Sequence, residues 1–206
     1  MYRNVATKLV SIMRHSNPDL NNADLREVSA YGIELTLSTI VNYLLVSLIG
    51  MIFSSLISVI LFSVIFNTLR KYIGGYHCTT YFRCNVTFCL IFAVILLSSY
   101  ILCTFISISM FIMILLFCGY GIWYWGPVEN IYKPISSEQQ KRCHTIAKSV
   151  YIVDCLVAIV CYIWLPYYGL VAMFTLLAVV ILLPLGTVAE RRRRYDAQKE
   201  SRKDYD

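Results

Sequence analysis

Three long apolar stretches alternate with short polar segments along the chain. They cover residues 33–69, 86–125 and 146–188. Each is about twice as long as the ~20 residues that one membrane-spanning helix needs, and each has a break near its middle, at Gly50, at residues 104–107 and at residues 166–169. A span must be helical, because backbone groups in lipid need partners within their own segment. The pattern therefore predicts an all-α integral membrane protein with six transmembrane helices arranged as three hairpins.

The polar segments complete a single polytopic domain. We expect a cytoplasmic or interfacial N-terminal segment, two cytoplasmic loops and a basic tail, at residues 1–32, 70–85, 126–145 and 189–206. Val5, Leu9, Ile12 and Met13 recur at helical spacing, which predicts an amphipathic helix over residues 2–15 on the membrane surface. A frayed polar tail is the alternative interpretation of that segment.

Composition and charge support this arrangement and set its orientation. Hydrophobic residues make up 58% of the 206, above the roughly 45–50% of a soluble domain. The 18 Lys and Arg residues lie before, after or around the gaps between the three apolar stretches, with Lys148 just inside the third, and none lies at a break within them. The positive-inside rule then places both termini and both loops in the cytoplasm. The net charge of +6 favours anionic lipid or an acidic peptide as a partner, and nothing in the sequence indicates nucleic-acid binding.

The first loop carries the clearest candidate chemistry, in the segment RKYIGGYHCTTYFRC at residues 70–84. Gly74 and Gly75 are expected to end or bend the helix that leaves the membrane. His77 and Cys84 follow, and an imidazole beside a thiol can act as the base that makes it a nucleophile. Seven residues along one straight helix would separate the two by ~10 Å. A bent or re-entrant segment is therefore needed between them.

Three other interpretations of this region stay open. Cys78 is a competing nucleophile, although as the immediate neighbour of His77 it would point away from the imidazole. Metal binding by His77, Cys78 and Cys84 lacks a recognisable zinc spacing, and we predict no metal and no cofactor. A structural His and Cys at the edge of the membrane is the third interpretation.

Two acidic residues within or beside the spans also stand out. Asp154 lies inside the third apolar stretch, where an ionisable group is costly and often functional. It would orient His77, carry a proton in a transporter, or hold helices together. Glu34 lies at the start of the first span and would pair with Arg70 or another cytoplasmic cation.

The residues of the first loop resemble a known family. Arg70, then Gly74 and Gly75, then His77, with Cys84 seven residues later between two membrane hairpins, are similar to the AgrB-type accessory gene regulator proteins. The second loop adds to the resemblance, with Gly126-Pro127 and Lys133-Pro134-Ile135 followed by a basic stretch.

The resemblance implies a thiol endopeptidase in the cell membrane of a Gram-positive bacterium that matures a quorum-sensing pro-peptide. His77 and Cys84 match the catalytic pair, and the positions of Arg70 and Gly75 are associated with activity. The implied substrate is an AgrD-like pro-peptide with an amphipathic leader and an acidic C-terminal tail, which Arg70 and Lys71 would hold. The resemblance also suggests a homodimer. A six-helix transporter or exporter with Asp154 as its polar centre is the competing hypothesis.

Overall fold

The computed structural model of the chain describes residues 2–13, 23–74, 80–125 and 137–203. Within these ranges it is all-helical. The helices are α1 (Tyr2–Met13), α2 (Ala23–Ile52), α3 (Leu56–Ile73), α4 (Tyr81–Leu102), α5 (Ile108–Trp125), α6 (Ser137–Trp164) and α7 (Pro166–Lys203). From α2 to α7, six helices are long and apolar enough to cross a membrane, which confirms the predicted number of spans.

Short turns join the six spans into three hairpins, as predicted. The turns occupy residues 53–55, residues 103–107 and Leu165. Tyr162, near the end of α6, donates a hydrogen bond of 2.7 Å to the carbonyl of Ile106 in the second turn. Residues 53–55 of the first turn line one cavity with Tyr167 and Tyr168 at the start of α7. All three turns therefore lie at one end of the bundle. We call this end the turn end. The opposite end, where α3 ends and α4 begins, is called the loop end.

The first break lies just beyond the position that the sequence indicated. Gly50 is not the turn; it lies within α2 at a close approach to α3, where an added Cβ would overlap the side chain of Val59. The missing side chain therefore serves helix packing, and the chain turns at residues 53–55, where Ser54 adopts a φ of 50°. The third turn comes immediately before Pro166, whose fixed φ and missing N–H suit the first position of α7.

Several helices extend past the apolar stretches that predicted them. α2 begins at Ala23 rather than near residue 33, α6 begins at Ser137 within the segment expected to be a loop, and α7 continues through the basic tail to Lys203. Helices can continue beyond the hydrocarbon because water then solvates their polar side chains. Hydrophobicity therefore marks the membrane-embedded part of a helix, not its full length.

α7 is the central helix of the bundle and contacts α3, α4, α5 and α6. Its buried side chains are Leu170, Val171, Ala172, Met173, Thr175, Leu176, Val179, Val180 and Leu183. By contrast, α5 and α6 expose large apolar side chains such as Met113, Leu116, Val153 and Leu156, as lipid-facing helices do. The core of the bundle therefore surrounds α7.

α1 forms the helix that the spacing of its apolar residues predicted. Ala6 and Val10 are fully buried, and α1 packs against α2. The predicted apolar residues Val5, Leu9, Ile12 and Met13 are exposed together on a second face of the helix. α1 thus contacts the bundle along one side and presents an apolar face beside it, as expected for a helix at a membrane surface.

Packing between α5 and α7 yields a stability prediction. A Cβ built on Gly121 would lie 2.5 Å from Cγ1 of Val180, whereas one built on Gly32 has nothing within 4 Å. We expect Gly121→Ala to lower the free energy of unfolding by about 1–3 kcal/mol through overpacking. Gly32→Ala is the control and should leave stability unchanged or raise it, since alanine is the better helix former. Thermal denaturation of the detergent-purified variants measures both; equal midpoints would contradict the prediction.

Candidate functional site

Four phenylalanine rings join α3 to α4 toward the loop end of the bundle. The centroid of Phe62 lies 4.9 Å from that of Phe88 and 4.9 Å from that of Phe92, and Phe66 meets Phe88 edge-on at 5.1 Å. All four rings are buried. Paired aromatic rings at these separations stabilise contacts beyond the area that they bury. They therefore fix the relative positions of the two helix ends that flank the loop.

This cluster places Arg70 and Cys84 at the loop end of adjacent helices. Arg70 lies one turn beyond Phe66 on α3, with its guanidinium carbon 5.3 Å from the centre of the Phe66 ring. Cys84 lies one turn before Phe88 on α4, which runs in the opposite direction. Since residues four apart share a helix face, both side chains lie on the loop side of the Phe66–Phe88 contact. The predicted thiol and the predicted cation are thus on neighbouring helices at the same level.

Gly74 ends α3, as the sequence predicted. Its φ of 77° and ψ of −142° belong to a region that favours glycine, and its N–H donates a hydrogen bond of 2.9 Å to the carbonyl of Arg70. Arg70 and Lys71 form the basic last turn of α3. Arg70 is half-buried and Lys71 is exposed.

Thr80 begins α4 and places Cys84 on its first turn. The Thr80 hydroxyl accepts a hydrogen bond of 3.4 Å from the N–H of Arg83, and its carbonyl accepts one of 3.1 Å from the N–H of Cys84. Threonine is a preferred N-cap because its side-chain oxygen pairs with an N–H group that lacks a helical partner. The Cys84 side chain is half-buried at this helix start.

α3 ends at Ile73 and α4 begins at Tyr81, and the predicted bent segment lies between these two helices in the sequence. Gly75, His77 and Cys78 lie outside the described residues. The pairing of His77 with Cys84, and the choice between Cys78 and Cys84 as nucleophile, therefore remain predictions.

A buried polar pair beside Cys84 was not predicted from the sequence. The hydroxyl of Ser38 on α2 donates a hydrogen bond of 3.0 Å to Oδ1 of Asn85 on α4. Glu34 lies one turn before Ser38 on α2 and is half-buried near the loop end. A polar residue at the start of an otherwise apolar span was the available signal at Asn85, but its α2 partner is distant in sequence.

Asp154 lies deep within the bundle, as the sequence predicted. It is 6% exposed, and its Oδ2 has no hydrogen-bond partner among the described residues. No group of three or more possible metal ligands occurs in the described part of the chain. Neither His77 nor Cys78 belongs to that part.

Comparison with known proteins confirms the family resemblance that the loop motif indicated. The family model described as accessory gene regulator B, or AgrB, matches residues 6–183, which is most of the chain. The chain belongs to the AgrB family. The matched residues include the loop motif between the first two hairpins of this multi-pass membrane protein.

Two relatives come from Clostridium perfringens. One, from strain SM101 / Type A, is named "Putative AgrB-like protein" and is 29% identical over 143 residues, or 66% of this chain and 65% of the relative. The other, from strain 13 / Type A, is named "Putative AgrB-like protein 2" and is 26% identical over 145 residues, or 67% and 64%. The alignments thus span just under two thirds of each relative. No solved structure matches the chain significantly.

The orientation of the loop end can be tested by the accessibility of individual cysteines. We expect a membrane-impermeant maleimide to label Thr104→Cys, at the exposed second turn, in intact cells. Cys84 should react only after permeabilisation, because the positive-inside rule places the loop end in the cytoplasm. Peptide-level mass spectrometry reports each site, and the fully buried Cys118 serves as an unlabelled control. Labelling of Cys84 in intact cells would contradict the predicted orientation and place the loop end outside the cell.

Proposed function

We propose that this AgrB-family protein is a membrane cysteine endopeptidase. It removes the acidic C-terminal tail of an AgrD-like pro-peptide and leads to a cyclic thiolactone or lactone peptide used in quorum sensing. The main support is the position of Cys84, on the first turn of α4 at the loop end and across the Phe66–Phe88 contact from Arg70. Family membership and the loop motif add to this support.

In the proposed first step, Cys84 attacks the carbonyl carbon that precedes the acidic tail. His77 accepts the thiol proton and then donates it to the nitrogen of the departing tail as the peptide bond breaks. The products are the released tail and a thioester between the pro-peptide and Cys84. Arg70 and Lys71 hold the carboxylates of the tail, a role that suits the basic last turn of α3.

In the second step, a Cys or Ser side chain of the substrate attacks the thioester carbonyl. His77 accepts the proton of the attacking side chain as the new thiolactone or lactone bond closes the ring, and it passes that proton to the Cys84 sulfur as the bond between this sulfur and the carbonyl carbon breaks. Because hydrolysis competes with ring closure, the site must hold the internal nucleophile near the thioester and limit the access of water. Exchanging an amide for a thioester is uphill, so removal of the tail or of the ring must draw the reaction forward.

The same proposal includes the orientation and the oligomeric state of the protein. The loops and both termini face the cytoplasm of a Gram-positive bacterium, and the protein acts as a homodimer in its membrane.

Three further residues support the catalytic pair in this proposal. Gly74 and Gly75 give the loop the bend that brings His77 to Cys84. Glu34, half-buried on α2 near the loop end, supports the site by pairing with a cation there.

Cleavage of a co-expressed pro-peptide with an acidic tail tests the nucleophile. We expect Cys84→Ala and His77→Ala each to lower the cleavage rate by roughly 1,000-fold or more while membrane insertion is retained. Cys78→Ser is the matched control and should keep most of the activity. Mass spectrometry should find the truncated pro-peptide attached to Cys84. Activity in Cys84→Ala together with its loss in Cys78→Ser would make Cys78 the nucleophile.

The competing function is transport, and the burial of Asp154 is the observation in its favour. An ionisable group within a span is a common feature of transport pathways. If the protein is an endopeptidase, Asp154→Asn should leave cleavage in detergent within about threefold of the parent, because this near-isosteric change preserves packing. Loss of cleavage in Asp154→Asn while Cys84→Ala remains active would reject the endopeptidase proposal.

A further inference from the structure

The Ser38–Asn85 hydrogen bond joins α2 to α4 beside the candidate nucleophile. Ser38 is 5% exposed and Asn85 is 4% exposed, so both side chains are removed from water and lipid. Ser38 Oγ donates to Asn85 Oδ1 at 3.0 Å, within the usual range for a hydroxyl donor. Buried polar groups are costly unless they are hydrogen-bonded. An apolar pair of similar size would avoid that cost, so the presence of this pair suggests a role that apolar contacts do not supply.

A hydrogen bond constrains direction more strictly than apolar contact does. Asn85 follows Cys84, and successive residues on an α-helix are rotated by ~100° about its axis. A fixed direction for Asn85 toward α2 therefore fixes the direction of Cys84 on the same turn. Phe88, one turn after Cys84, packs against Phe62 and Phe66 of α3. The start of α4 is thus oriented by α2 on one side and α3 on another, with Cys84 near the α3 side.

The start of a helix needs such orientation more than its middle does. The first four N–H groups of a helix lack helical partners, and first turns fray. The N–H of Cys84 bonds to the carbonyl of Thr80, the residue that caps α4. Without a contact to a neighbouring helix, the turn that carries Cys84 would be free to unwind or rotate.

We propose that Ser38 and Asn85 are positioning residues for the cleavage reaction. Their hydrogen bond fixes the rotation of the first turn of α4, so that the Cys84 thiol is presented on the α3 side near Arg70. This inference rests on the proposed function, in which Cys84 is the nucleophile. It assigns to α2 a contribution to catalysis that the loop motif does not contain.

The test is a comparison of kcat and KM for pro-peptide cleavage by the full-length protein in lipid nanodiscs. Ser38→Ala should lower kcat by about tenfold and leave KM within about twofold, because the tail is still bound while the thiol is misdirected. Ser38→Thr keeps a hydroxyl and should recover most of the lost kcat. The double variant Ser38→Ala/Asn85→Ala should lose no more kcat than Asn85→Ala alone, because the Ser38–Asn85 hydrogen bond is already absent from that single variant.

Tyr43→Phe is the matched control. It removes a different hydrogen bond of α2, the one of 3.0 Å that Asn67 Nδ2 on α3 donates to the Tyr43 hydroxyl. This change weakens helix association without altering the turn that carries Cys84, so kcat should be unchanged. An unchanged kcat in Ser38→Ala, an equal loss in Tyr43→Phe, or additive losses in the double variant would each overturn the inference.

A second measurement separates this inference from the proposed function. The alkylation rate of Cys84, read by peptide-level mass spectrometry, should change by about threefold or more in Ser38→Ala and remain unchanged in Tyr43→Phe. An unchanged rate in Ser38→Ala would overturn the positioning role of the pair even if Cys84 is the nucleophile. Persistent cleavage by Cys84→Ala would instead reject the proposed function, whatever the alkylation rates are.

Discussion

The packing of four helices around α7 is the constraint on which the rest of the structure depends. Lipid tails are as apolar as the side chains of the spans, so helix association in a membrane relies on close packing and hydrogen bonds. α7 meets this requirement with a continuous buried segment, and Gly121 of α5 admits Val180 at close range. α3 and α4 both pack against α7, so their relative position does not depend on the loop between them.

The candidate site inherits its geometry from this bundle. The Phe66–Phe88 contact fixes the relative positions of α3 and α4 at the loop end, where Arg70 and Cys84 lie one turn beyond the rings. The Ser38–Asn85 hydrogen bond adds α2 to the same arrangement. Reactive groups on the ends of rigid helices can be held more accurately than groups on a long loop, which suits a reaction that depends on the placement of a nucleophile.

Hydropathy predicted the number of spans and their pairing because each span in lipid must be a helix of about 20 mostly apolar residues. It did not predict the role of Gly50, since a glycine at a close helix approach and a glycine at a turn look alike in one sequence. Gly74 was identified correctly because it adjoins a second glycine, and paired glycines favour the end of a helix. The Ser38–Asn85 pair could not be predicted, because residues far apart in sequence meet only through the tertiary arrangement of α2 and α4.

The position of α1 bears on how a membrane-bound peptide would meet the proposed site. α1 packs against α2, the helix whose first half leads to Ser38, and its exposed face carries Leu9 and Ile12. A helix with such a face rests at the boundary between headgroups and acyl chains. The loop end carries Cys84 on the first turn of α4. In the proposed reaction the amphipathic leader of the substrate rests at the same boundary. The scissile carbonyl of the substrate therefore diffuses only within the plane of the membrane, and this restriction lowers the entropic cost of bringing it to the thiol.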